Sequence, residues 1–207
     1  LLWWDGRRGR APRVEDSLLP AAGIFRLVRG GLVLAGKAGH NAESHNHNDV
    51  GSFVLHSRGE DLLCDPGAPP YTREFFQQQT RYKLFLHTRS SGHSLPVIGG
   101  REQEFGRKYR GKVTSFEAEG RSSAVEMQLA GAYPERALKS FVRRLELFRG
   151  GRFALRDEFA FSGKGRQVEE AFVTWLPVRV NGASAVIRGE KSRLRLRILE
   201  PRGARFR

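Results

Sequence analysis

The densest chemistry in the chain lies in Ser44-His45-Asn46-His47-Asn48-Asp49-Val50-Gly51-Ser52-Phe53. If this stretch is extended as it enters a strand, His45, His47 and Asp49 share one face, with roughly 7 Å between successive side chains. Asn46 and Asn48 then point the other way. Two imidazoles and a carboxylate beside a core are costly unless something pairs them. Neutral imidazole and carboxylate are ordinary metal ligands, so one cation would satisfy all three. A lone histidine carries no such implication; this pattern predicts a functional site.

Two later segments bear on it. Leu62-Leu63-Cys64-Asp65-Pro66-Gly67 is an apolar strand ending in Asp-Pro-Gly, which alone reads as a turn. The strand leading to Asp65 is expected to pair with the strand that follows His47, which would bring Asp65 beside the histidines. In Arg89-Ser90-Ser91-Gly92-His93-Ser94-Leu95-Pro96-Val97-Ile98-Gly99-Gly100, followed by Gln103, His93 precedes a short apolar strand. On its own it reads as a surface histidine. The stretch between these motifs, 66–82, reads as a long loop with one helical turn. Its Tyr71, Arg73, Arg81 and Tyr82 are candidate substrate contacts, because such loops carry binding groups. Arg89 is a further candidate, with an internal ion pair as the alternative. His40 and Asn41 fit either a cleft or a plain loop. Trp175-Leu176-Pro177 reads as core and strand end rather than a sugar platform. His56 and His87 carry no functional expectation.

The elements that must position these residues read as β-strands. Phe25 to Val28 and Leu32 to Ala35 flank Gly30-Gly31, as in a hairpin. Gly51 to His56 and Asp61 to Cys64 flank Ser57-Arg58-Gly59-Glu60 in the same way. Phe153 to Phe161 alternates Phe153, Leu155, Asp157, Phe159 and Phe161 against Ala154, Arg156, Glu158 and Ala160, a strand with one buried face that only Asp157 interrupts. Arg193 to Ile198 alternates as cleanly. Turn signals stand at Gly120, Gly150-Gly151, Gly163-Lys164-Gly165, Asn181-Gly182 and Gly189. Many strands joined by short polar turns predict an all-β fold, an antiparallel β-sandwich. Residues 1–20 differ: a basic, Pro-containing stretch reads as a linker, and Leu1 to Trp4 as the last turn of an upstream helical domain. The expected division is therefore 1–20 and 21–207.

The chain has 207 residues, 39% hydrophobic, enough for one sizeable β domain. No apolar run approaches a membrane span. A single cysteine, Cys64, excludes an internal disulfide and a multi-cysteine zinc cluster. The net charge of +14 attracts polyanions: nucleic acid, anionic lipid or acidic polysaccharide. No helix-turn-helix, zinc-finger or RNP-like pattern supports the first. The basic end, Arg188 to Arg207, reads as a solvated strand face.

The order His-Asn-His-Asn-Asp-Val-Gly-Ser-Phe, Asp-Pro-Gly, then Arg-Ser-Ser-Gly-His before an apolar strand and Gly-Gly-x-x-Gln resembles the heparinase II/III-like domain of polysaccharide lyases, most closely over residues 23–106. The resemblance implies a β-sandwich (supersandwich) that follows an α/α toroid absent from this chain. It implies a divalent metal, commonly zinc, on His47, Asp65 and His93, and a catalytic role for His45. Ser94 departs from the family pattern, which often has Asn there. The implied partner is a uronate polysaccharide, heparan sulfate-like or alginate-like, and the implied reaction is β-elimination. In that reaction His45 would abstract the C5 proton or neutralise the uronate carboxylate, while the metal supports structure. Further catalytic groups, a Tyr and a His or Asn, would come from the toroid, so the chain alone would be incomplete. The resemblance also implies a periplasmic or secreted bacterial enzyme. The competing readings are a non-catalytic acidic-glycan-binding domain and a cupin-like metal enzyme. The second lacks its expected Glu and its Pro-x-Gly-x-x-His element.

Overall fold

The computed structural model describes residues 14–207. The expected helical remnant at Leu1 to Trp4 and the basic run at 7–13 lie outside the described residues. Two antiparallel five-stranded sheets form the body. The first is built from β1 (Ser17–Leu19), β2 (Ile24–Arg29), β3 (Leu32–Lys37), β5 (Phe53–Ser57) and β6 (Glu60–Leu63), in that order. The strand between β3 and β5, β4 (Gly39–Asn41), leaves this sheet and pairs at the edge of the second.

After β6 the chain makes a helical turn at Glu74–Phe76 and a short helix, α1 (Gln78–Leu84), then two more turns at Leu86–Thr88 and Ser90–Gly92. This loop is more helical than its sequence predicted. It leads to β7 (Pro96–Ile98), β8 (Gly106–Glu117), β9 (Ser122–Gln128), β10 (Leu138–Phe148) and β11 (Arg152–Phe161). The second sheet runs β11-β10-β9-β8-β4. β12 (Val168–Glu170) pairs with β7. β13 (Val178–Asn181), β14 (Ser184–Arg188) and β15 (Arg193–Arg197) close the chain as a small sheet.

Period-two alternation supplies the core. Phe25, Leu27, Leu34, Phe53 and Leu55 of the first sheet pack against Val125, Met127, Phe141, Leu145 and Leu147 of the second, all buried. The predicted hairpins at Gly30-Gly31, Arg58-Gly59 and Gly150-Gly151 are present. Gly30 is required on two counts. Its φ is +58°, and a Cβ there would lie 2.4 Å from the Gly151 nitrogen, where two hairpin turns touch. β1 falls inside the stretch read as linker. It pairs with β2, and Asp16 accepts a bond from Ser123 Oγ at 2.6 Å, so the sandwich already includes these residues. Trp175 corrects another expectation: it is 74% exposed, not core, although Leu176 packs against the core.

Candidate functional site

The loop 42–52 carries the chain from β4 in one sheet to β5 in the other. Crossing the rim leaves it no strand to ladder with, so it is not extended, contrary to expectation. His45 sits at φ +56°, in the left-handed region that non-glycine residues seldom occupy. His45, His47 and Asp49 therefore do not share a face. Asp49 turns to Lys37 Nζ at 3.0 Å, and His45 is exposed.

Buried polar contacts pin the loop from beneath. The Asn48 N–H donates to the Thr88 carbonyl at 2.9 Å, and Ser90 Oγ donates to the Asn48 carbonyl at 2.8 Å. Gln103 brackets Val50, accepting its N–H at 3.1 Å and donating to its carbonyl at 2.7 Å. The same side chain accepts from Asn41 Nδ2 at 3.0 Å. From outside, Arg81 donates to the Asn46 carbonyl at 2.9 Å, and the Tyr82 hydroxyl donates to Asn46 Oδ1 at 3.2 Å. Arg81 lies over the Phe75 ring at 4.4 Å, and Tyr82 stacks on Phe105. Burial pushes the Tyr82 hydroxyl above its ordinary pKa.

Three side chains converge beside this loop. The ligand atoms of His47, Asp65 and His93 all lie within 4.8 Å of one another. The predicted β5–β6 pairing carries Asp65 there, from the end of β6. Gly92 lets His93 in: a Cβ at Gly92 would meet the Leu86 carbonyl oxygen at 2.1 Å. The close turn puts His93 Nε2 2.9 Å from the His87 carbonyl. A carbonyl only accepts, so Nε2 carries the hydrogen. Nδ1 then faces Asp65 Oδ2 at 3.3 Å. In a neutral ring that is a lone pair against a carboxylate, and only a proton or a cation relieves it.

His47 has its ring centroid 5.3 Å from that of His93. Burial, and next the nearby His93, hold its pKa below the ordinary imidazole value, which favours the neutral ligand form. Burial would raise Asp65, but a protonated His93 and the Gly67 N–H outweigh it and hold the carboxyl below its ordinary pKa. Ligand atoms of one tetrahedral zinc stand about 3.3–3.6 Å apart. The three residues thus fit a divalent cation once their ligand atoms close in by at most about 1.5 Å, and supply the mixed nitrogen and oxygen set that zinc accepts.

The other candidate residues separate into two groups. Arg81 and Tyr82 are committed to Asn46, and Arg89 pairs with Glu102 in a very short contact. Tyr71 is 61% exposed and rests on Phe75 and Phe76, and Arg73 is exposed. A cavity of about 460 Å³ opens beside the loop, with Asn48, Tyr82, Lys83, Arg89 and Arg101 in its wall. His40 Nδ1 accepts the Ala42 N–H and Asn41 is buried, so both shape the loop. His56 meets Asp61, and His87 contributes its carbonyl. Ser94 Oγ accepts the Val173 N–H at 3.3 Å.

The residue that sequence reasoning missed is Arg143. It is fully buried, with Nε and Nη2 on the Asp157 carboxylate at 2.9 and 2.6 Å and Nη2 on Glu170 at 2.7 Å. Its Nη1 donates to the carbonyls of Gly51 and Ser94, at 3.1 and 2.9 Å. These are backbone positions just past His47 and His93. The signal was present: Asp157 breaks an apolar face, and Arg143 breaks the series Phe141, Leu145, Leu147 on the neighbouring strand.

The family model described as "Heparinase II/III-like, C-terminal" matches residues 11–203. The chain belongs to this heparinase II/III-like C-terminal family. A search of curated proteins gave no match. Among solved structures, the heparinase II/III-like chain is similar to a heparinase III gene product with methylated lysines, at TM-score 0.68 and 18% identity. That match covers 90% of this chain and 28% of the other. It is also similar to the heparan sulfate lyase HepC from Pedobacter heparinus, at TM-score 0.67 and 18% identity, covering 90% and 29%. These likenesses support the β-sandwich fold, and the chain spans under a third of the length of these solved relatives. Among the described residues, no helix is long and apolar enough to cross a membrane.

Proposed function

We propose that this chain is the β-sandwich part of a polysaccharide lyase that cleaves a uronate-containing polysaccharide by β-elimination. Heparan sulfate-like chains are the first candidate, since one solved relative above is named heparinase III and the other heparan sulfate lyase. The observation that carries the reading is the convergence of His47, Asp65 and His93 beneath the loop that exposes His45.

β-Elimination removes the proton at C5, gathers negative charge on the adjacent carboxylate and breaks the C4–oxygen bond. The site must place a base within hydrogen-bond reach and offset the developing charge. His45 is the exposed imidazole, a side chain able to take or give a proton in this reaction. His47, Asp65 and His93 would hold a divalent cation, zinc by preference, and that ion would tie three loop segments together and fix the loop that presents His45. Arg81 and Tyr82, through Asn46, position the same loop from outside. Tyr71 and Arg73 remain as groups open to the polymer. In the reading, a toroid domain supplies the remaining catalytic groups, and the enzyme works in the periplasm or outside the cell.

The test uses the full-length protein, with unsaturated product followed by its absorbance. His45→Ala should lose turnover while keeping bound metal and its melting temperature. His47→Ala should lose metal, stability and turnover together. Unchanged turnover in His45→Ala would remove that residue from the chemistry. Binding of the polymer without any unsaturated product would turn the reading into a glycan-binding domain.

A further inference from the structure

The small sheet β13–β14–β15 has two unlike faces. Ala185, Ile187 and Leu196 turn inward and are buried in the core. The register places Arg179, Val186 and Arg195 in one row across the outer face and Arg188 opposite Arg193 in the next. Arg197 follows two residues along β15, opposite Ser184. All five arginines are exposed. No acidic residue shares the outer face, and among the described residues none of the five guanidiniums has an ion-pair or hydrogen-bond partner.

Several arginines elsewhere do find a carboxylate. Arg29 meets Asp16, Arg144 meets Glu117, Arg156 meets Glu158 and Arg207 meets Glu169. The nearest acid to the small sheet, Glu60, is taken by the backbone N–H groups of Glu190 and Lys191 in the β14–β15 turn. A directly opposed Arg188–Arg193 pair is repulsive in a bare sheet. Five unpaired forks therefore crowd a face whose own strands offer them no anion.

Spacing along and between strands makes this patch about 14 Å by about 10 Å. A single small anion cannot span it, whereas a chain carrying repeated anionic groups can. No aromatic side chain lies on the face to stack a nucleobase, and no helix or ribbon projects from it toward a groove. The guanidinium fork matches sulfate and carboxylate alike. The β14–β15 turn stands apart from the histidine site. It docks on Glu60, at one end of β6, and Asp65 leaves the other end, about 16 Å of extended chain later.

We propose that the outer face of β13–β15 is a second, non-catalytic surface that holds a sulfated or carboxylated polysaccharide. The choice of polymer rests on the function proposed above; the existence of the surface does not. A long polymer held there would be present at the rim site at a raised effective concentration.

The experiment is calorimetric titration of the 207-residue chain with heparan sulfate, with alginate and with duplex DNA of matched charge. The variant is Arg193→Ala/Arg195→Ala/Arg197→Ala, which leaves the inward Leu194 and Leu196 in place, and a thermal melt checks its fold. Arg179→Ala/Arg188→Ala is the second variant should the first not fold. The first should weaken glycan binding about tenfold or more at about 0.15 M salt, and reduce the log–log salt slope by about three, one for each contact removed. Preference for heparan sulfate would assign sulfate recognition, and equal binding of alginate would assign carboxylate. Wild-type affinity in both variants, or tighter binding of DNA than of either glycan, would overturn the proposal. If Tyr71→Ala/Arg73→Ala lost binding while both strand variants kept it, the polymer would be held at the rim and the second surface would fall. Loss of the lyase reading, with no unsaturated product formed, would leave these binding results standing.

Discussion

Two ionisable clusters lie on either side of the same backbone, and they differ in how their charges are resolved. Arg143, Asp157 and Glu170 form a closed set. Every guanidinium nitrogen has an acceptor, and burial drives the Glu170 carboxyl above its ordinary range even against the pull of Arg143. His47, Asp65 and His93 form an open set. Once His93 Nε2 is committed to a carbonyl, its Nδ1 and the Asp65 oxygen confront each other as acceptors. The interior cluster is complete without help, and the rim cluster holds an opposed acceptor pair that a proton or a cation would relieve. The difference teaches that clustering of charged residues is not itself the mark of a site; unmatched donors and acceptors are.

The largest effect that could break the comparison is at Arg143. Arg143→Met strands two carboxylates and releases the Gly51 and Ser94 carbonyls, and should cost about 3–5 kcal/mol in urea or thermal unfolding. Replacing the whole set, as Arg143→Met/Asp157→Leu/Glu170→Leu, should recover most of that loss, because a buried ion cluster contributes little beyond well-packed apolar groups. A triple variant as unstable as the single one would show that the cluster is not the closed unit described.

The next effect belongs to the rim. Zinc at about 100 times its dissociation constant should stabilise the wild type by about 2.7 kcal/mol, and a chelator should reverse it. In a domain of this size that is a rise in Tm of about 5–10 °C. Asp65→Ala should abolish the rise. Without metal it should cost little, because it removes an acceptor that opposes another acceptor. A zinc-induced shift that persisted in Asp65→Ala would place the ion elsewhere.

The contrast also explains what the sequence could reveal. Period-two alternation and glycine turns exposed the sandwich, since one buried face per strand leaves its mark on every second residue. The meeting of Asp65 with His47 was legible too, because adjacent strands in a hairpin fix that proximity. The conformation of 42–52 was not. The histidine spacing mimics a strand, but β4 and β5 belong to different sheets, and only the topology shows that the loop crosses the rim. Arg143 escaped because its partners Asp157 and Glu170 lie 14 and 27 positions away, with no local pattern linking them. The commitments of Arg81, Tyr82 and Arg89 are likewise tertiary: a loop arginine looks the same in sequence whether it faces solvent or a carbonyl.

The smallest effect sharpens the boundary between the clusters. Glu102 sits in the wall of the cavity, pairing with Arg89 and accepting the Ser91 N–H at 3.1 Å. Burial alone would raise its pKa, but Arg89 and Ser91 outweigh it and hold the carboxyl below the ordinary value of 4.5. A depressed folded-state pKa means the unfolded chain binds the proton first. The stabilisation from Glu102 is therefore fully present above about pH 4.5 and fades as pH falls through the lower folded value. Arg89 is partly exposed, so the contribution is modest. Glu102→Gln should cost about 0.5–1 kcal/mol at pH 7 and progressively less as pH falls below about 4.5, flattening that part of the acid-unfolding profile. Zinc-dependent stabilisation should survive in this variant, because Glu102 braces the turn before His93 without touching the three ligands. If Glu102→Gln lost the zinc response as Asp65→Ala should, the brace and the cation site would be one unit, and the open cluster would extend into the cavity wall.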